Sequence, residues 1–204
     1  MTIILSLTLF FLAVIVHEYA HGWVAMKLGD NTAKDAGRLT LNPIAHIDPI
    51  GTIFLPLLLI LSRSPFVFGW AKPVPVNFRG LNNPKKDMIW VGLAGPLANI
   101  IFAIILSFFL KLSNLNQDYS IVPVLLSTAI LINLVLAVFN IIPIPPLDGS
   151  RVMMGLLPRN MAIKYSALEP YGFIIIIALL YLGIIGKVIW PLTTILARLL
   201  GVLT

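Results

Sequence analysis

The sequence predicts an all-α polytopic membrane protein with about four to five transmembrane helices, and with a short re-entrant or β-strand region between the first two strong spans. Composition is the first reason: hydrophobic residues make up 59% of the 204 residues and charged residues 11%, and the mean hydropathy is +0.99. Soluble domains are roughly half apolar and a quarter charged. The second reason is that long uncharged runs recur along the chain, and about 20 such residues cross a bilayer as a helix.

The first element is a predicted helix over 2–28, which carries ionisable side chains inside an apolar run. Between residues 2 and 26 the only acidic or basic side chains are His17, Glu18 and His21. Uncompensated charge at membrane depth costs at least a few kcal/mol, and coordination of a metal cation would offset that cost. Because the run lacks a preceding basic segment and a small-residue cleavage site, we expect a retained helix rather than a removable signal peptide.

The second element, over 31–80, is predicted to contain short strands and one apolar run that does not span. Alternating polar and apolar residues over 37–41, and the proline-punctuated stretch 72–76, favour strands. The run 53–61 is broken by Pro56 and is too short to cross as a helix, so we expect it to be re-entrant or buried. A strand edge here could pair with an extended peptide; an amphipathic cytoplasmic loop without a substrate role is the alternative.

The remaining elements are four further helices. They are predicted over 88–111, over 121–142 with an Asp-containing loop at 143–149, over 171–186 and over 188–203. The last stretch is compatible with a span or with a helix lying in the interface, since it contains Arg198. No repeat, low-complexity tract or appended soluble domain is evident, so we expect one compact membrane domain over 1–204.

The distribution of basic residues predicts the orientation. Most Lys and Arg residues fall between the first two long spans or after the third, whereas the connection 111–120 holds only Lys111. Basic residues mark cytoplasmic loops, so we place the N-terminus outside and the C-terminal ends of the 2–28 and 121–142 helices near the cytoplasmic face, in the plasma membrane. The net charge of +6 is explained by this topology, and because the cations are not clustered with aromatic residues we expect no nucleic-acid partner.

The spacing of the first motif indicates a metal site. Residues four apart share a helix face, so His17 and His21 present their imidazoles together, with Glu18 beside them. Catalytic zinc usually has three protein ligands and one open position, and the chain has no cysteine. Asp148 is the best third candidate, because the prolines before it stop the preceding helix and turn its carboxylate inward. A third histidine ten residues after the first is excluded, since that position is Lys27.

Two motifs closely resemble the signatures of the site-2 protease family, which are intramembrane zinc metalloproteases that cut membrane-bound regulators. They are His-Glu-Tyr-Ala-His-Gly at 17–22 and Asn-Ile-Ile-Pro-Ile-Pro-Pro-Leu-Asp-Gly at 140–149. The resemblance also includes 94–99 and 69–76, and thus spans most of the first 150 residues. Many relatives have a further helix before the zinc motif and a PDZ or CBS domain. This chain shows neither, so we expect a minimal form.

The resemblance implies a role for each matching residue. His17, His21 and Asp148 would hold one zinc ion, Glu18 would be the catalytic carboxylate, and Asn140 would be a substrate or oxyanion contact. The implied activity is hydrolysis of peptide bonds within or near transmembrane segments of membrane-anchored proteins, as in regulated intramembrane proteolysis. A helical substrate must unwind before cleavage, which favours Gly, Pro or Asn near the cut.

A zinc-binding membrane protein without proteolysis, either a transporter or a pseudo-protease regulator, is the competing hypothesis. A transporter usually places polar residues at several depths along a path, and a pseudo-protease would not need Glu18. The substrate protein and the lipid bilayer are the expected partners, and the sequence leaves a homo-oligomer open.

Three other polar residues have open assignments. Asn140 is either a substrate contact or an interhelical hydrogen-bonding group. Asn99, with Gly92 and Gly95, is predicted to serve helix packing. For His46 we expect a surface or loop-ordering role, with a fourth metal ligand or an entry-site residue as the alternative.

Overall fold

The computed structural model describes residues 2–63, 69–115 and 121–203, and within these ranges the regular structure is helical, with no strand. The α-helices are α1 (Thr2–Lys27), α2 (Thr32–Asp35), α3 (Leu55–Leu61), α4 (Pro84–Leu115), α5 (Val122–Asn140), α6 (Asp148–Leu156), α7 (Arg159–Ser166), α8 (Gly172–Tyr181) and α9 (Ile184–Leu199). Short helical turns occupy Pro43–His46, Pro49–Phe54, Phe78–Gly80 and Glu169–Tyr171.

Helix α4 is the centre of the packing. It contacts α1, α5 and α6, while α5 also packs against α1 and α9. One buried apolar cluster joins α4, α5 and α9, and a second joins the end of α5 to α8 and α9. The first of these clusters contains Ala103, Leu110, Ile130, Leu134 and Ala197. The three-helix unit of α1, α4 and α5 therefore forms a rigid frame on which side chains from distant parts of the sequence meet.

The predicted all-α class is confirmed, and four helical stretches are long and apolar enough to cross a membrane: Ile4–Lys27, Pro84–Ser113, Val122–Asn140 and Arg159–Tyr181. The C-terminal boundaries differ from the prediction. Gly183 adopts a left-handed conformation with φ of 69°, which glycine tolerates without a steric penalty. The helix ends before this glycine. Helix α8 therefore ends at Tyr181, before the predicted residue 186, and α9 begins at Ile184, before the predicted residue 188.

The predicted strands over 37–41 and 72–76 are not found. Residues 72–76 have no regular structure, and Pro73 and Pro75 cannot donate the ladder hydrogen bonds that a paired strand needs. The backbone N–H groups in and just before this stretch bond to separate loop carbonyls and not to a neighbouring strand. Trp70 N–H donates to the Gly51 carbonyl at 3.1 Å, and Lys72 N–H donates to the His46 carbonyl at 2.9 Å.

The apolar run 53–61 is helical and not buried, contrary to one of the two expectations for it. It belongs to a helical stretch over Pro49–Leu61, which is shorter than the four candidate spans. Leu57, Leu58 and Leu61 are all exposed. A short helix with an apolar outer surface is compatible with lipid contact but not with a full crossing.

The loop after α5 brings Asp148 back toward α1. Gly149 makes this possible, because a Cβ at that position would overlap the carbonyl group of Ile141 at the end of α5. Only glycine permits so close an approach of two backbones. Helix α6 therefore begins directly beside the end of α5, with Asp148 in its first turn.

Candidate metal centre

Three side chains from two helices converge on one point. The Nε2 atoms of His17 and His21 on α1 lie 2.9 Å and 3.2 Å from Oδ2 of Asp148, and 3.0 Å from each other. A tetrahedral zinc ion with bonds of about 2.0–2.1 Å sets its ligand atoms about 3.3 Å apart. The three atoms therefore need only a small outward movement to hold such an ion, and the donor set fits zinc.

The outer ring nitrogens of both histidines are held by acceptors. His17 Nδ1 lies 2.6 Å from Oδ1 of Asn99, and His21 Nδ1 lies 2.7 Å from the Val91 carbonyl oxygen. Each Nδ1 therefore carries a proton that it donates outward, which turns the Nε2 lone pair toward Asp148. In metal sites, the same arrangement selects the tautomer of a ligating histidine.

The centre requires a positive charge. Burial alone would raise the pKa of Asp148, but when the Nε2 atoms are also protonated, the charge of His21 and hydrogen bonds from His17 and His21 hold that pKa below its usual range. Asp148 is therefore a carboxylate, facing two Nε2 atoms. Either a proton on Nε2 or a metal cation can supply the charge that this carboxylate attracts, and a bound metal would displace the proton.

Glu18 lies beside the three converging residues but is not one of them. Its Oε2 atom accepts a hydrogen bond from the Val74 backbone N–H at 2.7 Å. Its carboxylate lines the same cavity as His17, His21 and Asp148. Glu18 is thus placed as the H-E-x-x-H spacing predicts, next to the three candidate metal ligands and open to the space in front of them.

The cavity in front of the centre has a volume of about 570 Å³. The lining comes from α1 and α4, from the segment 70–78, and from the end of α5 with the prolyl loop and the start of α6. The lining residues are His17, Glu18, His21, Trp70, Ala71, Pro73, Val74, Val76, Phe78, Val91, Gly92, Asn140, Pro146, Leu147, Asp148 and Arg151. A mostly apolar space with a few converging polar groups is the usual form of a substrate site.

Asn140 is also part of the cavity wall, at the last residue of α5. Its Nδ2 donates to the Leu136 carbonyl of its own helix at 3.0 Å. The side chain is thus near enough to contact a substrate, and in the described part of the chain it forms no hydrogen bond to another helix.

Asn99 does more than allow close helix packing, contrary to the prediction. It is fully buried, orients His17 through Oδ1, and donates through Nδ2 to the Ala13 carbonyl at 3.1 Å and to Oδ1 of Asn133 at 2.8 Å. Asn133, equally buried, was not singled out from the sequence. Its signal was present, because an amide in the middle of an apolar span needs a polar partner.

Gly95 keeps space open for the centre. A Cβ at this position would overlap the Nε2 atoms of both His17 and His21. The small-residue face predicted on this helix therefore meets two of the candidate metal ligands, His17 and His21.

His46 is fully buried and lies outside the converging group. Its Nε2 atom donates to the Thr40 carbonyl at 2.8 Å, and its own carbonyl accepts from Lys72 N–H. The expected surface position is wrong, and the hydrogen bonds agree with the loop-ordering role.

Comparison with known proteins gives one family. The family model described as Peptidase family M50 matches residues 5–120 and 112–182. The "Putative zinc metalloprotease YwhC" of Bacillus subtilis is 41% identical over 204 residues, which covers 94% of this chain and 83% of that protein. The "Putative zinc metalloprotease Rip2" of Mycolicibacterium smegmatis is 29% identical, covering 81% and 62%. "Zinc metalloprotease MJ0392" of Methanocaldococcus jannaschii is 28% identical, covering 79% and 35%. No solved structure matches the chain significantly.

Proposed function

The chain belongs to peptidase family M50, the site-2 protease family, and we propose that it is a zinc endopeptidase that cleaves membrane-anchored proteins within or near their transmembrane segments. Its membership makes it a metalloprotease, and its four apolar helices make it an integral membrane protein. One observation carries the proposal. The Nε2 atoms of two histidines, whose Nδ1 atoms are hydrogen-bonded elsewhere, converge with one carboxylate on a single point beside Glu18.

His17, His21 and Asp148 are the proposed ligands of one zinc ion per chain. When bound, zinc supplies a Lewis acid for the scissile carbonyl and lowers the pKa of water at the open position. Asn99 and the Val91 carbonyl keep both imidazoles in the tautomer that binds metal.

Glu18 is the proposed proton carrier. Its carboxylate faces the cavity, where it can accept a proton from the attacking water and later donate it to the leaving amine. The Val74 N–H holds Oε2, so the orientation of the carboxylate is set before a substrate enters. Asn140, at the wall of the same cavity, is the proposed contact for the peptide carbonyl oxygen.

The substrate is proposed to bind as an unwound stretch of a membrane helix. Intact helical carbonyls are hydrogen-bonded within their own helix, and only an extended stretch exposes one to attack. Ala71, Pro73, Val74 and Val76 line the cavity in a segment without regular structure, and the two prolines of 71–76 leave few N–H donors. A peptide pairing with this segment would therefore use mainly its own N–H groups as donors.

We also propose how the site and the short apolar helix lie in the membrane. The helical stretch Pro49–Leu61 enters the bilayer without crossing it, since its apolar side chains are exposed and its length is short. The centre faces the cytoplasmic side of the plasma membrane, as the distribution of basic residues favours.

The test is the Glu18→Gln variant of the full chain in lipid vesicles, with a membrane-anchored reporter that carries Gly and Pro in its transmembrane segment. We expect one zinc per chain by elemental analysis in both proteins, and cleavage by the wild type alone. Cleavage that survives in Glu18→Gln would contradict the mechanism. Zinc binding without cleavage by the wild type would instead favour a non-proteolytic zinc protein.

A further inference from the structure

Arg38 is a buried cation without an acidic partner. It follows α2, is 9% exposed, and has no carboxylate within ion-pair distance among the described residues. Its Nη2 donates instead to two backbone carbonyl oxygens, that of Lys72 at 2.8 Å and that of Pro73 at 3.3 Å. Burying a charge without an ion pair is unfavourable, so these carbonyl contacts are the main compensation for its position.

One of the two carbonyls belongs to the peptide unit that holds Glu18. The Pro73 carbonyl and the Val74 N–H are opposite ends of one planar peptide group. Arg38 donates to the oxygen end, and the N–H end donates to Oε2 of Glu18 at 2.7 Å. Hydrogen bonds in series polarise one another, so Arg38 both fixes this peptide and strengthens its bond to Glu18.

The segment 70–74, here called the strap, is held at further points. The Thr52 hydroxyl donates to the Trp70 carbonyl at 2.8 Å, and the His46 carbonyl accepts from Lys72 N–H. At its end, Val74 is buried against α1, where a Cβ on Gly22 would crowd the Val74 side chain. Arg38 is the one charged side chain among these supports, and one of its two acceptors is the carbonyl of the peptide whose N–H bonds Glu18.

We propose that Arg38 is a positioning residue for proteolysis, which holds the strap so that the Val74 N–H fixes the Glu18 carboxylate in the orientation needed for proton transfer. The inference rests on the proposed role of Glu18. It differs from a role in substrate binding, because a strap that pairs with the substrate would change KM, whereas a misplaced Glu18 changes kcat.

The first measurement is the kinetics of Arg38→Ala in the full chain. A misplacement of about 1 Å can cost about 100-fold in rate, so we expect kcat to fall between about 10-fold and 100-fold, with KM within about threefold of wild type and one zinc per chain retained. Arg38→Lys keeps a cationic donor, and we expect it to recover part of the loss. Arg79→Ala is the matched control, because Arg79 is exposed and its side chain makes no hydrogen bond or ion pair to the described residues.

The second measurement does not depend on activity. Hydrogen exchange of a peptide over 72–76 reports only on the amides of Val74 and Val76, since the first residue of a peptide has no amide and the other two residues are prolines. We expect faster exchange in Arg38→Ala and unchanged exchange in Arg79→Ala. If Arg38→Ala does not fold, Arg38→Lys gives the same comparison with a smaller change.

The outcomes separate the two proposals. Unchanged kcat in a folded Arg38→Ala, or a rise in KM alone, would overturn the positioning role. Unchanged exchange at 72–76 would overturn it as well. If the wild type cleaves no reporter but exchange responds to Arg38→Ala, the proposed function fails while the coupling between Arg38 and the strap is upheld.

Discussion

The two sides of the centre are built in different ways. The proposed metal-binding side consists of helix side chains held by buried polar groups. Asn99 holds His17 and is itself bonded to Asn133, while the Val91 carbonyl holds His21. The side that holds Glu18 is irregular backbone, a strap fixed by Arg38. The difference implies that metal binding and turnover can be damaged separately, because each depends on its own set of contacts.

The largest effect is expected from removing a ligand. His17→Ala deletes one of the three converging donor atoms, so we expect zinc below one equivalent per chain and no detectable cleavage. Zinc content by elemental analysis and reporter cleavage measure the two effects. Full zinc occupancy in this variant would show that the proposed ligand set is wrong. Glu18→Gln is the contrasting variant, which should keep zinc and lose cleavage.

The second largest effect is expected from Gly95→Ala, which would disturb the proposed zinc site only by steric overlap. The added methyl group would overlap both Nε2 atoms, and we expect loss of zinc with little change in helix content by circular dichroism. Gly186→Ala is a suitable control, because a Cβ there meets only Trp190 atoms at ordinary contact distances of 3.6 Å and 3.7 Å. Equal zinc content in the two variants would contradict the geometry.

Asn99→Ala should weaken the metal side without touching the strap. Partners of ligating histidines are typically worth 10-fold to 100-fold in metal affinity, so we expect a zinc affinity lower by about that factor in competition with a chelator. Hydrogen exchange over 72–76 should stay at the wild-type rate, which would distinguish this variant from Arg38→Ala. Asn160→Ala, at an exposed position, serves as the control.

The smallest effect is expected at the ion pair between Arg151 and Glu169, whose acidic partner is neither a cavity-lining residue nor a proposed ligand. Its two side chains are 25% and 42% exposed, and exposed pairs contribute roughly 0–1 kcal/mol. Glu169→Gln should therefore change the free energy of unfolding by less than about 1 kcal/mol and leave zinc content unchanged. Loss of zinc in this variant would mean that the region after α6 supports the centre more directly than its contacts indicate.

The sequence predicted the metal side better than the strap, for physical reasons. His17 and His21 follow from helix periodicity, and Asp148 from the need for a third ligand at a proline-terminated span. The structure brings these three together. The amide partner of His17 was not predicted, because an asparagine beside small residues is equally compatible with packing.

The conformation of the strap and its hydrogen bonds could not be predicted from the sequence. The proline-punctuated stretch 72–76 was predicted to be a strand, but its two prolines lack the donors that a ladder needs, and the Lys72 and Val74 amides bond to individual partners. The link from Arg38 to Glu18 passes through one backbone peptide, which leaves no side-chain pattern in the sequence. After residue 170 the helix boundaries differ from those predicted from hydropathy, because the left-handed Gly183 decides where one helix ends and the next begins.

X-ray absorption at the zinc edge, on the zinc-loaded chain in lipid, tests the central claim most directly. We predict two imidazole ligands with nitrogen at about 2.0–2.1 Å and a carboxylate oxygen at about 2.0–2.2 Å. Asp148→Asn should alter only the oxygen contribution, and His17→Ala should remove one imidazole. A zinc ion with fewer than two imidazoles in the wild type, or a spectrum that does not respond to either variant, would contradict the His17, His21 and Asp148 site.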